Sequence, residues 1–207
     1  MARSKRPAAR AGLAKTAAGR NRPAAPAQPA SAYIIKAPDT NVERHTLAVI
    51  VSNEPGVLAR VIGLFSGRGY NIESLTVAAV SEDNSISRIT VVTTGTPMII
   101  EQIKNQLDRL VPVSDVHDLT AEGPFVEREV ALVKVVAKAR SHERRESLRM
   151  AEIFGANVVD TTTESFGFAM TGSPAKVQAF IELMRALGKT EVVRSGVVAI
   201  ARGPKAL

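Results

Sequence analysis

The feature that most constrains the fold is the order in which two hydrophobic periodicities alternate along the chain. Apolar residues recur first at every second position, as on a strand, and then at intervals of three and four, as on a helix. Up to residue 119 the predicted elements are a strand from His45, a helix from Pro55 to Gly67, strands over 70–80 and 86–94, a helix from Pro97 and a strand over 111–119. This βαββαβ order predicts a sheet covered on one face by two helices.

The same order recurs after a break at Glu122-Gly123-Pro124. The predicted elements are a strand over 130–139, a helix over 141–154 with Leu148, Ala151 and Phe154 facing inward, strands over 156–161 and 166–171, a helix from Pro174 and a strand over 192–201. The predicted fold class is therefore α+β, with two tandem ferredoxin-like βαββαβ units. Because each sheet would keep one uncovered face and unpaired edges, we expect at least a homodimer.

The net charge of +7 is concentrated at the N-terminus. Residues 1–38 contain eight basic and no acidic residues, whereas the remainder contains 19 basic and 20 acidic residues. We interpret residues 1–43 as a disordered Ala/Pro/Arg-rich tail, with a polyanion-binding arm or a targeting peptide as alternatives. The tail is poor in serine and lacks an amphipathic stripe, which argues against organelle targeting and favours a cytoplasmic protein.

Several functional classes lack the residues that they need. The chain has no cysteine, and no apolar run approaches the roughly 20 residues of a membrane-spanning helix. His45, His117 and His142 show no metal-ligand spacing, so we expect them at the surface or at strand ends. RNA-recognition domains share the βαββαβ order but need exposed aromatic residues on central strands, and only Phe166 and Phe168 alternate here. We therefore expect no membrane, nucleic-acid or metal site and no catalytic site.

Three helices are predicted to begin with a proline: Pro55, Pro97 and Pro174. The last two follow threonine and serine, which are good N-caps. The first follows a glutamate, a poor cap, and has Gly56 at its second helical position. Free amides at a helix start bind anions, and glycine lets a ligand approach the backbone. Both a small carboxylate site and an ordinary strand-to-helix turn fit these residues.

The residues around this turn also carry a resemblance. Residues 53–61 (NEPGVLARV) resemble the start of an ACT domain, a βαββαβ module that binds amino acids between domains. Residues 63–77 (GLFSGRGYNIESLTV) resemble the small subunits of acetolactate (acetohydroxyacid) synthase in particular, and residues 126–135 (VEREVALVKV) and 194–203 (RSGVVAIARG) agree with this. The resemblance covers roughly residues 45–203.

The resemblance implies a regulatory subunit without a catalytic site of its own. Such a subunit activates a large catalytic subunit and confers feedback inhibition by valine in branched-chain amino-acid biosynthesis. Residues 44–121 would form the ACT domain, which senses the amino acid and dimerises, and residues 126–203 would activate the catalytic subunit. Thiamine diphosphate, Mg²⁺ and FAD would belong to that partner. A free-standing ACT-type sensor with another partner is the alternative.

The resemblance also implies which residues bind the amino acid. They are Asn53, Gly56, Val57 and Leu58 at the helix start, with Asn71 and Ile72 contributed across the subunit interface. Amides around Gly56 and Val57 would bind the carboxylate, and the two asparagines would bind the ammonium or carboxylate group. Leu58 and Ile72 would contact the branched side chain, with core packing as their alternative. For Asn71 the alternative is a turn residue with a left-handed backbone.

Overall fold

A computed structural model of the chain describes residues 41–204, which form one compact body. The predicted tail lies outside the described residues except for its last three positions. The first unit comprises β1 (Glu43–Ser52), α1 (Val57–Arg68), β2 (Ser74–Ala79), β3 (Ile86–Gly95), α2 (Pro97–Leu107) and β4 (Val113–Asp118). After the short helix α3 (Leu119–Glu122), the second unit comprises β5 (Phe125–Val136), α4 (His142–Phe154), β6 (Asn157–Thr161), β7 (Ser165–Gly172), α5 (Pro174–Leu187) and β8 (Lys189–Ala201).

Each unit contains one antiparallel four-stranded sheet, and the strand orders are β2-β3-β1-β4 and β6-β7-β5-β8. Alternate strand residues face the helices, because successive side chains on a strand point to opposite faces. In the first unit Leu47, Val49 and Val51 are buried against Phe65 of α1 and Ile103 of α2. The second unit repeats this arrangement around Val133, Phe168 and Phe180. The predicted α+β fold with two βαββαβ units is confirmed.

The two units contact each other through the face of the first sheet that the helices leave uncovered. Ala48 on β1, Leu119 on α3 and Ala199 on β8 form a small buried cluster on this face. The sequence pattern did not predict α3, which begins where the Asp118 side chain accepts hydrogen bonds from the amides of Thr120 and Ala121. The end of β8 thus lies against the first sheet, so the two units share a buried contact.

Some sequence-based predictions are wrong in detail. Pro55 is not the first residue of a helix: Gly56 adopts a left-handed backbone (φ 86°), so the helix begins at Val57. The predictions for Pro97 and Pro174 are correct. Leu148 is 39% exposed, because Ser147 is the inward-facing residue of that helical turn.

The sequence predicted His45 at the surface or at a strand end, and it lies near the beginning of β1 but on the buried face of that strand. His45 is buried within β1, where its Nδ1 lies 2.8 Å from Oδ2 of Asp118. Because the same carboxylate caps α3 through its other oxygen, the pair joins β1 to the end of β4. His45 therefore has a structural contact that the sequence pattern did not reveal.

Candidate functional site

The start of α1 is open. Gly56 precedes the helix and offers no side-chain cap, and the first turn contains no acidic residue. The amide of Val57 donates to the carbonyl of Glu54 at 3.3 Å. The next two amides, those of Leu58 and Ala59, have no acceptor among residues 41–204. Unpaired amides at a helix start carry partial positive charge, so this position is suited to bind a carboxylate.

Asn53 lies beside the open helix start and is held by the β2–β3 turn. Its amide donates to Ser85 O at 2.7 Å, and its side-chain Nδ2 donates to Asn84 O at 2.8 Å. Asn84 has a positive φ of 56°, which orients its carbonyl group within the turn. Because Nδ2 is occupied, Oδ1 of Asn53 is the atom left to accept a hydrogen bond from an ammonium group.

Asn71 and Ile72 lie at the opposite end of the sheet. The carbonyl of Asn71 accepts a hydrogen bond from Thr93 Oγ1 at 2.6 Å, and Thr93 pairs with His45 at the beginning of β1. Asn53 instead follows the last residue of β1. Seven residues lie between His45 and Asn53, and these eight steps along the strand correspond to roughly 25 Å. A single chain therefore does not bring the two groups of predicted site residues together.

The burial of the site residues separates their roles. Val57 is buried in the core, so only its backbone faces the helix start. Leu58 is 38% exposed, which contradicts the core-packing alternative, whereas Ile72 is half-buried against the core of the first unit. Asn71 is exposed and its φ is not positive, so the left-handed turn alternative is wrong. An added Cβ at Gly56 would meet no atom within 4 Å, so the space above the helix start is free.

Two features of this site were missed by the sequence analysis. The unpaired amide of Ala59 was missed because a backbone donor leaves no mark on residue type. Asn84 lies in the short polar segment between the strands predicted over 70–80 and 86–94, where an asparagine is a signal for a positive φ. Of the amides around Gly56 and Val57 that were predicted to bind the carboxylate, the amide of Val57 already donates to the Glu54 carbonyl across the Pro55-Gly56 turn.

The described residues contain few other candidates. Within residues 41–204 there is no group of three or more His, Cys, Asp or Glu side chains placed to hold a metal ion. No helix in the same range is long and apolar enough to span a membrane. Phe166 and Phe168 are buried in the core of the second unit, where Arg144 of α4 lies over the Phe166 ring and Phe168 packs edge-on against Phe180 of α5. Neither ring is therefore available to stack on a base.

Two protein-family models match this chain, one in each of its two units. Residues 47–115 match the model of the acetohydroxyacid synthase small-subunit-like ACT domain, and residues 128–203 match the model of the small subunit of acetolactate synthase. A probable acetolactate synthase small subunit from Archaeoglobus fulgidus is 45% identical over 78% of this chain and 99% of its own. The small subunit of acetolactate synthase isozyme 3 from Escherichia coli is also 45% identical, over 78% of this chain and 98% of its own.

A solved structure has the same architecture. The crystal structure of the acetolactate synthase small subunit from Thermotoga maritima superposes with a TM-score of 0.70 at 36% sequence identity. The match covers 79% of this chain and 99% of that chain. The matched region is therefore long enough to include both units.

Proposed function

This chain belongs to the family of acetolactate synthase small subunits, and on that basis we propose that it binds valine and thereby inhibits the large catalytic subunit that it otherwise activates. The observation that carries the proposal is the open start of α1 beside Asn53. The carboxylate of the amino acid binds the amides of Leu58 and Ala59, and its ammonium group binds Oδ1 of Asn53.

We propose that two chains complete each pocket. Asn71 and Ile72 lie about 25 Å from Asn53 within one chain. The strand β2 is a free edge of the first sheet. Asn71 and Ile72 precede its first residue, and Asn53 lies beside the β2–β3 turn that follows its last residue. A two-fold axis that pairs β2 with its copy antiparallel brings Asn71 of the partner subunit to the open helix start. Such a homodimer also removes the exposed edge.

Leu58 and Ile72 determine which amino acid the proposed pocket prefers. Leu58 is exposed beside the helix start, and Ile72 is half-buried at the other end of the sheet. In the paired arrangement the two side chains enclose an aliphatic group, which favours valine or a closely related branched-chain amino acid over a polar one.

The catalytic partner would contribute the reactive groups. Thiamine diphosphate, Mg²⁺ and FAD stay predictions for that subunit, and the location of this chain in the cytoplasm also stays a prediction. We assign activation to the second unit, whose uncovered sheet face exposes Val130, Leu132, Val136 and Val193. An exposed apolar patch of this kind is suited to bind another protein. Inhibition requires that valine favours the less active arrangement of the complex, because equal affinity for both would shift nothing.

Isothermal titration of the full chain with valine tests this proposal, with leucine, isoleucine and serine as comparison ligands. We expect saturable binding that favours valine, with at most one site per chain. Activity assays of the reconstituted complex should then show stimulation without valine and inhibition with it. Valine binding without any effect on the catalytic subunit would instead indicate an ACT-type sensor with another partner. The absence of binding both to the chain and to the complex would contradict the proposal.

A further inference from the structure

The residues that follow the proposed pocket contact the second unit directly. Asn71 and Ile72 lead without interruption into Glu73 and Ser74 at the beginning of β2. Glu73 is anchored to the first sheet, since its amide donates to Val92 O at 2.8 Å. Glu73 and Ser74 also line a cleft of about 510 Å³ between the two units, whose opposite wall is formed by Gly196 and its neighbours on β8.

Two side chains of β2 hold the backbone of Val197 on β8. Oγ of Ser74 accepts a hydrogen bond from the Val197 amide at 2.8 Å, and Oγ1 of Thr76 donates to the Val197 carbonyl at 2.9 Å. Because β8 is an edge strand, these two backbone groups have no neighbouring strand to pair with. We call Ser74, Thr76, Gly196 and Val197 the β2–β8 joint.

Gly196 makes the joint close-fitting. Its φ of 83° lies in the left-handed region, and a Cβ at this position would lie 2.9 Å from both Ser74 Oγ and Thr76 Cγ2. The left-handed backbone and the close approach of β2 both favour glycine at this position. The pairing of β5 with β8 shifts register just beside this residue, between Glu129 and Ala131. The bend at Gly196 therefore turns the backbone of Val197 towards β2, where the two hydroxyl groups meet it.

Charged residues surround the joint but are already paired. Arg44 lies 3.6 Å from Glu73 and 3.1 Å from Glu127, so it links the start of β2 to β5. On the opposite wall Glu129 forms a two-point pair with Arg194, with both distances 2.6 Å. The Arg44 pairs are about one-third exposed and add little stability by themselves. The directional contacts are therefore the hydroxyl–backbone bonds of Ser74 and Thr76, and further along β8 the bond that Nη2 of Arg88 on β3 donates to the Ala199 carbonyl at 2.9 Å.

We propose that the β2–β8 joint couples amino-acid binding to the second unit. This inference rests on the proposed function and concerns the regulation of that site. A ligand that contacts Asn71 and Ile72 favours one position of the adjoining start of β2. Ser74 and Thr76 then favour the matching position of Val197, and β8 carries the change along its 13 residues into the second sheet. Ser74 and Thr76 are thus positioning residues, without contact to the ligand.

The test uses a Ser74→Ala/Thr76→Val chain, which removes both hydroxyl groups but keeps the strand. Thr171→Val is the matched control, since Thr171 lies on β7, is exposed and makes no side-chain hydrogen bond within residues 41–204. A second variant, Gly196→Ala, pushes the joint apart. Its control is Gly203→Ala, which has the same left-handed strain (φ 95°) in open space. Circular dichroism and thermal unfolding establish that each variant folds.

In the complex with the catalytic subunit, we expect the unaltered chain and both controls to be inhibited equally by saturating valine. In both joint variants, the inhibition caused by saturating valine should be about three- to tenfold weaker than with the unaltered chain. The valine dissociation constant of the full chain should change less than about threefold. In the free chain, valine should slow hydrogen exchange in peptides covering residues 193–199, and this change should vanish in the joint variants.

Equal inhibition of folded joint variants and the unaltered chain would overturn the inference while the proposed function stands. An unaltered chain that binds valine without inhibition would overturn both. Loss of valine binding in the joint variants would show that Ser74 and Thr76 support the pocket itself, which contradicts a coupling role.

Discussion

The first helices of the two units, α1 and α4, occupy equivalent positions but begin in opposite ways. α1 follows Gly56 without a side-chain cap. α4 follows Ser141, whose Oγ accepts a hydrogen bond from the Arg144 amide at 3.2 Å. Glu143 also lies at this start, where hydrogen bonds from its own amide and from Ser141 lower the pKa of its carboxyl group. α4 therefore has a side-chain cap and an acidic residue at its start, whereas α1 has neither.

The same two helices end alike. Gly69 and Gly155 both adopt left-handed backbones, with φ of 70° and 71°, and each is followed after one residue by an asparagine, Asn71 or Asn157. In both units the residue after the glycine donates to the carbonyl five positions earlier. The repeated fold thus preserves the end of this helix, and α1 and α4 differ at their starts.

This comparison locates the sensing function in the first unit. A shared fold does not determine function, which depends on the groups that a particular site presents. Both units present an asparagine after the first helix, but only in the first unit does that helix begin without a side-chain cap and without an acidic residue in its first turn. The following changes test whether that difference, rather than the fold, makes the site.

The largest effect is expected from Gly56→Asp, which gives α1 an acidic group of the kind that α4 already has. A carboxylate beside the ligand's carboxylate should weaken valine binding by about 100-fold or more. Gly56→Asn is the matched control, because Asn has the same shape and also tolerates a left-handed backbone. Titration of both variants separates charge from size, and equal affinities would contradict an anion site at this helix start.

Asn71→Ala should weaken valine binding about tenfold, because a hydrogen bond to a charged group of the ligand is lost. Stimulation of the catalytic subunit should remain. Asn157→Ala is the control in the second unit, since Asn157 occupies the equivalent position after α4. If the Asn71 variant lost both valine binding and stimulation, Asn71 would be a folding residue. If Asn157→Ala weakened valine binding equally, the units would not differ as described.

Ser141→Ala removes the cap of α4 and should lower the free energy of unfolding by about 1 kcal/mol. The reason is that the Arg144 amide would lose its acceptor while the fold remains intact. Urea unfolding of the variant measures this change. Valine affinity should be unaltered, and a decrease would show that the closed helix start also contributes to ligand binding.

The smallest effect is expected from deletion of residues 1–38. Since the basic residues of this segment lie outside both units, valine affinity and stimulation should each change less than about twofold. Titration and the reconstituted assay compare the shortened and full chains at two salt concentrations. A large, salt-sensitive change would indicate that the segment binds a polyanion or the catalytic subunit.

Local patterns in the sequence predicted most of the fold but not the contacts between its units. Alternation at Leu47, Val49 and Val51 and the caps at Thr96 and Ser173 are local signals, and these elements formed as predicted. The burial of His45 and the existence of α3 depend on Asp118, which lies 73 residues from His45 in the chain. Periodicity cannot reveal such distant pairs.

The candidate site was predicted in part for the same reason. Gly56 and Asn53 carry recognisable signals, namely a residue suited to a left-handed turn and a short polar side chain beside it. The free amide of Ala59 has no signal in residue type. The joint at Val197 requires two segments more than 120 positions apart to meet, and only the folded chain brings Ser74 to that amide.

The most direct test of the two-chain pocket combines Asn53→Ala and Asn71→Ala subunits in one dimer. The two chains are co-expressed with different tags, and mixed dimers are isolated by both tags. In each altered homodimer every pocket has lost one asparagine. If the pocket is shared, the mixed dimer has one intact and one doubly altered pocket, so titration should recover valine binding at about half the normal number of sites. If mixed dimers bind valine no better than the altered homodimers, each pocket would be formed by a single chain, and the account would be contradicted.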